Sequence, residues 1–247
     1  MNALRAVLVA VGLLLIWEMV VRVFALPPFI LPPPMKVAGA FQARGLYLLD
    51  NALVTLSEIV LGFVIGALGG MATALSMSLM PVARRLILPV VIVTQALPVF
   101  AIAPLLVLWF GYGMASKVVM ATLIIYFPVA SAYYDGLSRT DPGLVDLARL
   151  NRAGRLQTLV HFRMPAALPN LLSGLKVAAA VAPIGAVVGE WVGSSAGLGF
   201  VMLQANARLQ SDVLFAALFC LAVMAVALRL GVDAAVRRLA PWAPENL

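Results

Sequence analysis

The sequence predicts an all-α integral membrane protein with six transmembrane helices. The first observation is composition. The 247 residues are 64% hydrophobic and 11% charged, with a mean hydropathy of +1.06. Soluble domains average about 45–50% apolar and about 25% charged residues. The second is length. Crossing a bilayer core about 30 Å thick takes roughly 20 apolar residues as a helix, and six segments meet that need. The third is continuity. Each segment is an unbroken apolar run rather than an alternating pattern, which favours helices over a transmembrane barrel. Apolar dominance excludes a disordered chain. One cysteine, Cys220 in FAALFCLAVMAVAL, excludes a disulfide scaffold.

The first span is expected at about 4–25. It is too long for the apolar core of a signal peptide, and Glu18 and Arg22 near its end can pair four residues apart on one helix face. LPPFILPPP follows, and its prolines predict an extended stretch. A short amphipathic helix over about 35–49 at the outer surface comes next. The second span is expected at about 52–80 and the third at about 86–110, joined by a short turn. The fourth follows GYG over about 116–134. The fifth is expected at about 168–192, and the sixth at about 213–230. Together they form a single transmembrane domain over 1–247.

Loop charge sets the direction. With the N-terminus inside, the inner regions hold Arg5, Arg84, Arg85, Arg139, Arg149, Arg152, Arg155, Arg163, Arg229, Arg237, Arg238 and Lys176. The outer regions hold Arg22, Lys36, Arg44, Lys117 and Arg208. Both termini are therefore expected in the cytoplasm. The net charge of +7 reflects this topology and not a nucleic-acid-binding face.

Two connections are long: a cytoplasmic one over about 135–167, and an outer one over about 193–212 containing GSSAGLGF. In the first, Asp141 is expected to cap a helix with Pro142 at its first position. Small residues recur every fourth position at Gly62, Gly66 and Gly70, and again at Gly185, Gly189, Gly193 and Gly197. That spacing lets helix backbones approach closely. Intramembrane acids are few, and Glu58 and Glu190 are the candidates for a polar cavity. Gln95 and Pro98 of the third span join them as pathway candidates. Arg229, Asp233 and Arg237 form a row expected to be structural. There is no G-x-x-x-x-G-K-[ST] phosphate loop, nucleophile elbow or metal-binding histidine pair, so an enzyme is not expected.

The cytoplasmic stretch VDLARLNRAGRLQTLVHFRMPAALPNLLSGLKVA resembles the EAA loop of binding-protein-dependent ABC importer permeases. Asp146, Leu147 and Ala148 occupy its first three places, and Met164-Pro165 its Leu-Pro end. QALPVFAIAPLLVLWFGYGMASKVV before it and GEWVGSSAGLGFVM after it are similar to the nitrate/sulfonate/taurine-type permeases. The resemblance runs from about residue 27 to Trp242. It implies a coupling helix within 135–167 that docks on a cytoplasmic ATPase subunit. Asp146, Leu147, Ala148, Arg149, Arg152, Gly154, Arg155 and Pro165 would belong to that contact. It further implies no cofactor in this chain, with ATP bound by the partner ATPase. The other implied partners are an extracytoplasmic substrate-binding protein, docking near 31–49 and 193–210, a second permease in a homodimer, and membrane lipid. The setting would be a bacterial inner membrane.

Two departures stand out. Arg152 takes the place of the glycine expected six residues after the acidic position, and Gly154 is expected to supply the permissive turn instead. Glu58 stands where many relatives are expected to carry arginine. The central stretch looks most like permeases for hydroxymethylpyrimidine thiamine precursors. An acidic Glu58 fits a neutral or weakly basic heterocycle better than an anion. Sulfonate, taurine, nitrate or riboflavin-like substrates are the alternative. A secondary transporter is the rival mechanism, and it would carry an inverted repeat with ion-coupling acids at the midplane.

Overall fold

The computed structural model describes residues 3–96 and 98–239. Its elements, in order, are α1 (Ala3–Val23), α2 (Pro34–Leu79), α3 (Pro81–Ala96), α4 (Val99–Phe110), α5 (Met114–Ser138), α6 (Pro142–Leu150), α7 (Arg155–Thr158), a π-helical turn (Leu159–Arg163), α8 (Met164–Gly193), α9 (Leu198–Ala207) and α10 (Ser211–Leu239). No strand occurs among the described residues. The all-α expectation holds.

The spans differ from expectation in two places. The surface helix and the second span form one helix, α2, with a local break at Arg44 (φ −130°, ψ 23°). Pro34 opens it, as suits a residue whose missing N–H is unneeded there. The third span is two helices, α3 and α4, whose axes differ by 103°. Pro98 precedes α4 with extended geometry (φ −62°, ψ 115°). A proline supplies no N–H to a helix ladder, which suits Pro98 to the start of a new helix rather than the interior of one. Among the described residues, four helices are long and apolar enough to cross a bilayer, or five if α3 and α4 count as one span. The expected count of six is not reached by that measure. α1 does fall on the first expected span.

The chain forms two compact units. One comprises the chain up to Thr55 with Ser195–Val223, and the other Leu56–Ser194 with the chain from Met224 onward. In the second unit, α5 and α8 make the most extensive helix pair, with α4 packed on both. Ala121 explains the glycine spacing. A methyl added at Gly62 would stand 2.5 Å from Ala121 Cβ, and one at Gly185 would stand 2.6 Å from Ala121 Cα. Thus α5 is held between α2 and α8 at backbone distance, which larger side chains would forbid. Gly66, Gly70 and Gly189 continue the two contacts along α5. Gly197, the last of the second series, lies beyond α8 and adopts φ +105° before α9.

In the first unit, α2 side chains satisfy the start of α9. The Gly197 N–H donates to Asn51 Oδ1 (2.8 Å), and the Leu198 N–H donates to Thr55 Oγ1 (2.8 Å). A helix start leaves its first N–H groups unpaired, so this capping anchors the GSSAGLGF loop.

Candidate functional site

Glu58 and Glu190 come together. Their residues are 2% and 1% exposed, and their carboxyl groups are in hydrogen-bonding contact. Such a bond requires a proton on one of the two, because an O–H must donate. Glu58 Oε2 is buried and accepts no hydrogen bond. The third member is Lys117, 1% exposed, whose charge acts on both carboxyls. Its Nζ donates to the Gly113 carbonyl at 2.9 Å and also to the carbonyls of Tyr112 and Gly193. Gly193 ends α8, where the helix dipole is negative and last-turn carbonyls lack intrahelical donors. The ammonium therefore ties the α4–α5 turn to the end of α8. Two carboxyl groups and one amine thus share one buried site.

The segment 135–167 is helical for most of its length. Asp141 caps α6 through Oδ1, which accepts from the Gly143 N–H at 2.7 Å, and Pro142 sits in the first turn, as expected. Ala148 is fully buried (0%), whereas Leu147 and Leu150 are 48% and 81% exposed. α6 thus presents a small inward alanine and two outward leucines. Asp146 and Arg149 form an exposed ion pair at 3.0 Å.

The end of α6 corrects the glycine expectation. Arg152 itself is left-handed, at φ +53°. Its N–H donates to the Arg149 carbonyl (2.9 Å), and the Ala153 N–H donates to the Ala148 carbonyl (3.0 Å). These are the two bonds of a Schellman motif, whose left-handed position favours glycine. Gly154 has φ −67° and needs no such freedom. It begins α7, with its N–H bonded to Gln157 Oε1 at 2.9 Å. Pro165 lies in the first turn of α8. The π-turn before it widens the helix, so that the Met164 N–H bonds the Leu159 carbonyl. A widened turn relieves the clash a proline ring makes with the preceding turn.

The segments around residues 29–44 and 210–211 meet within the first unit. Arg44 Nη1 donates to Gln210 Oε1 (3.0 Å), and Ser211 Oγ donates to the Phe29 carbonyl (2.5 Å). A cavity of about 380 Å³ lies between Arg44, Tyr47, Gln204 and Arg208.

Residues 59–243 match the family described as binding-protein-dependent transport system inner membrane component. The chain belongs to this family. The permease is 49% identical over 230 residues to a probable ABC transporter permease protein of Haemophilus influenzae, covering 93% of this chain and 94% of the relative. It is 30% identical to the formylaminopyrimidine transport permease ThiX of Halalkalibacterium halodurans, covering 98% and 96%. It is 31% identical to the taurine transport permease TauC of Escherichia coli, covering 96% and 90%. Its fold matches a chain of the inward-facing MetNI methionine ABC transporter with a TM-score of 0.69, at 18% identity over 79% of this chain and 97% of that one. The permease is thus the inner-membrane, multi-pass subunit of an ABC importer. It is a transport protein and not an enzyme, and ATP is bound by a partner ATPase.

Of the four pathway candidates in the permease, the structure unites Glu58 and Glu190. Pro98 stands apart at the α3–α4 break. The side chain of Gln95 lies outside the described residues. Sequence reasoning missed Lys117, which it counted among the outer-loop charges. The available signal was position: a lysine five residues after Tyr112 can reach back to a glycine-containing turn. The ion pairs Glu18–Arg22 (2.6 Å) and Arg229–Asp233 (3.1 Å) form as expected. Lys176, rather than Arg237, completes the latter group at 3.7 Å from Asp233.

Proposed function

We propose that this permease carries a pyrimidine thiamine precursor, delivered by an extracytoplasmic binding protein, into the cytoplasm. The observation that carries the substrate reading is the Glu58–Glu190–Lys117 cluster. It offers no surplus positive charge to an anion, whereas a neutral or weakly basic ring imposes no such demand. The end-to-end similarity to a formylaminopyrimidine permease supports the same class. Taurine or another sulfonate is the second reading, supported by the similarity to TauC.

In the proposed cycle two copies of this single permease domain form the pathway, with both termini cytoplasmic. Each copy presents 135–167 to one ATPase, with Leu147 and Leu150 as the docking side chains and Ala148 packing inward. Rigid-body movement of these helices then changes access to the pathway. The acid–ammonium cluster acts as a latch joining α2, α5 and α8, and Glu58 and Glu190 reach the pathway when those helices part. The binding protein docks on the outer segments around Arg44 and Arg208. ATPase stimulation of the reconstituted importer, with its binding protein and a panel of pyrimidines, taurine and nitrate, tests the substrate. Stimulation by a pyrimidine is expected. Stimulation by taurine alone overturns the first reading in favour of the second, and stimulation by nitrate alone overturns both.

A further inference from the structure

A cavity of about 620 Å³ opens beside the α6–α7 segment, walled by the last turn of α2, the first turn of α3 and the end of α5. Four arginines line it: Arg84, Arg149, Arg155 and Arg163. No carboxylate belongs to its described lining. Arg149 is paired outward with Asp146. Among the described residues, no ion pair engages Arg84, Arg155 or Arg163.

Basic residues scattered in a loop need no partner beyond water, and positive-inside bias accounts for them. These arginines differ in two respects. They converge from α3, α6, α7 and the π-turn on one walled space, where like charges repel. And Arg163 Nε is buried with no hydrogen-bond acceptor. A buried donor without a partner is costly, and a guanidinium donor more so. Arg84 is held by the Tyr134 ring, 5.9 Å from its centroid, a geometry that orients the guanidinium. Tyr134, Ser138 and Thr158 add polar groups to the wall. Guanidinium forks match phosphate oxygens in a bidentate manner. The volume falls in the range of ordinary small-ligand sites, about 300–1,000 Å³.

The geometry points to a binding site for a phosphate-bearing anion between the coupling segment and the transmembrane helices. It is separate from the substrate pathway and independent of which solute the permease carries. The phosphate comes from an anionic lipid headgroup or from a free phosphate. The position at helix ends suits the former, because basic pockets between membrane helices take such headgroups. An anion there ties α6 and α7 to α3, and so stiffens the element that passes motion to the bundle.

The test uses the full-length permease in nanodiscs of three kinds: phosphatidylcholine alone, phosphatidylcholine with phosphatidylglycerol, and phosphatidylcholine with added pyrophosphate. Thermal unfolding and native mass spectrometry of retained ligand are read for the wild type, for Arg84→Gln/Arg163→Gln, and for Arg139→Gln as a basic control outside the cavity. Arg155→Gln serves if the double variant does not fold. A rise in Tm with phosphatidylglycerol, together with retained lipid, establishes a headgroup site. A rise with pyrophosphate alone establishes a free-phosphate site. In either case the cavity variant is expected to lose about tenfold or more in retention, and the control to keep it. No rise with either anion, or equal losses in the control and the cavity variant, overturns the site.

Discussion

Lys117 donates a hydrogen bond to the carbonyl of Gly193, across 76 positions of sequence, and so fastens the start of α5 to the end of α8. Lys117→Met keeps the stem and removes the donor and the charge. Three carbonyls and a buried carboxyl pair then lose their cation. The expected loss is about 3–5 kcal/mol, the usual penalty for removing one partner of a buried ionic group. It is read as a lowered Tm of the purified permease. An unchanged Tm would show that the cluster holds nothing together.

Glu58→Gln is predicted to be much milder than Glu58→Ala. Glutamine keeps a hydrogen-bonding group towards Glu190 without needing a shared proton, whereas alanine leaves the Glu190 side without that partner and opens a cavity. The comparison is read by thermal unfolding, with uptake measured in parallel. Equal losses from both substitutions would deny the carboxyl–carboxyl contact its role.

Arg152→Gly should raise stability by up to about 1 kcal/mol, and Arg152→Val should lower it by a similar amount. The residue is left-handed, a conformation that costs an L-residue about 1–2 kcal/mol and glycine almost nothing, although glycine also gains freedom in the unfolded chain. β-branching makes the conformation worse. A lower Tm for the glycine variant than for the valine variant would refute the assignment of the motif.

Glycine substitutions separate close approach from open helix surface. Gly185→Val drives side-chain atoms into the α5 backbone at Ala121 and should cost about 1–3 kcal/mol or prevent folding. Gly231→Ala, where the added methyl meets nothing within 4 Å beyond the adjoining backbone of its own helix, should be neutral or stabilising by up to about 1 kcal/mol. Expression yield and Tm of the two variants give the comparison.

Most of the fold was legible because membrane solvation writes itself into composition as long apolar runs, and because Asp141 and Pro142 mark the start of α6. The close packing was legible as a spacing of glycines, though not the identity of the helix they face, because spacing names one surface and leaves its partner open. The third span was expected as one helix, and its break falls at Pro98, which the sequence marked only as a pathway candidate. Arg152 was recognisable as a departure, but Gly154 drew the expected turn to the wrong residue. Local sequence cannot tell which of two neighbouring residues takes the left-handed angle when the favoured residue type sits at the other. Lys117 escaped notice because its partners are backbone carbonyls, one of them 76 positions away, and carbonyls carry no sequence signal.

In the proposed cycle α6 of this permease transmits ATPase motion. Ala148 is buried, so enlarging it would disturb the fold as well as any docking surface. Leu150 is exposed and serves better. The decisive measurement is ATPase binding and substrate-stimulated ATP hydrolysis by the reconstituted importer carrying Leu147→Glu/Leu150→Glu. Lost ATPase association and lost stimulation are expected, with a permease Tm within about a degree of the wild type, since exposed substitutions rarely change stability by more than about 0.5 kcal/mol. Full ATPase binding and full stimulation in that variant would contradict that role of α6.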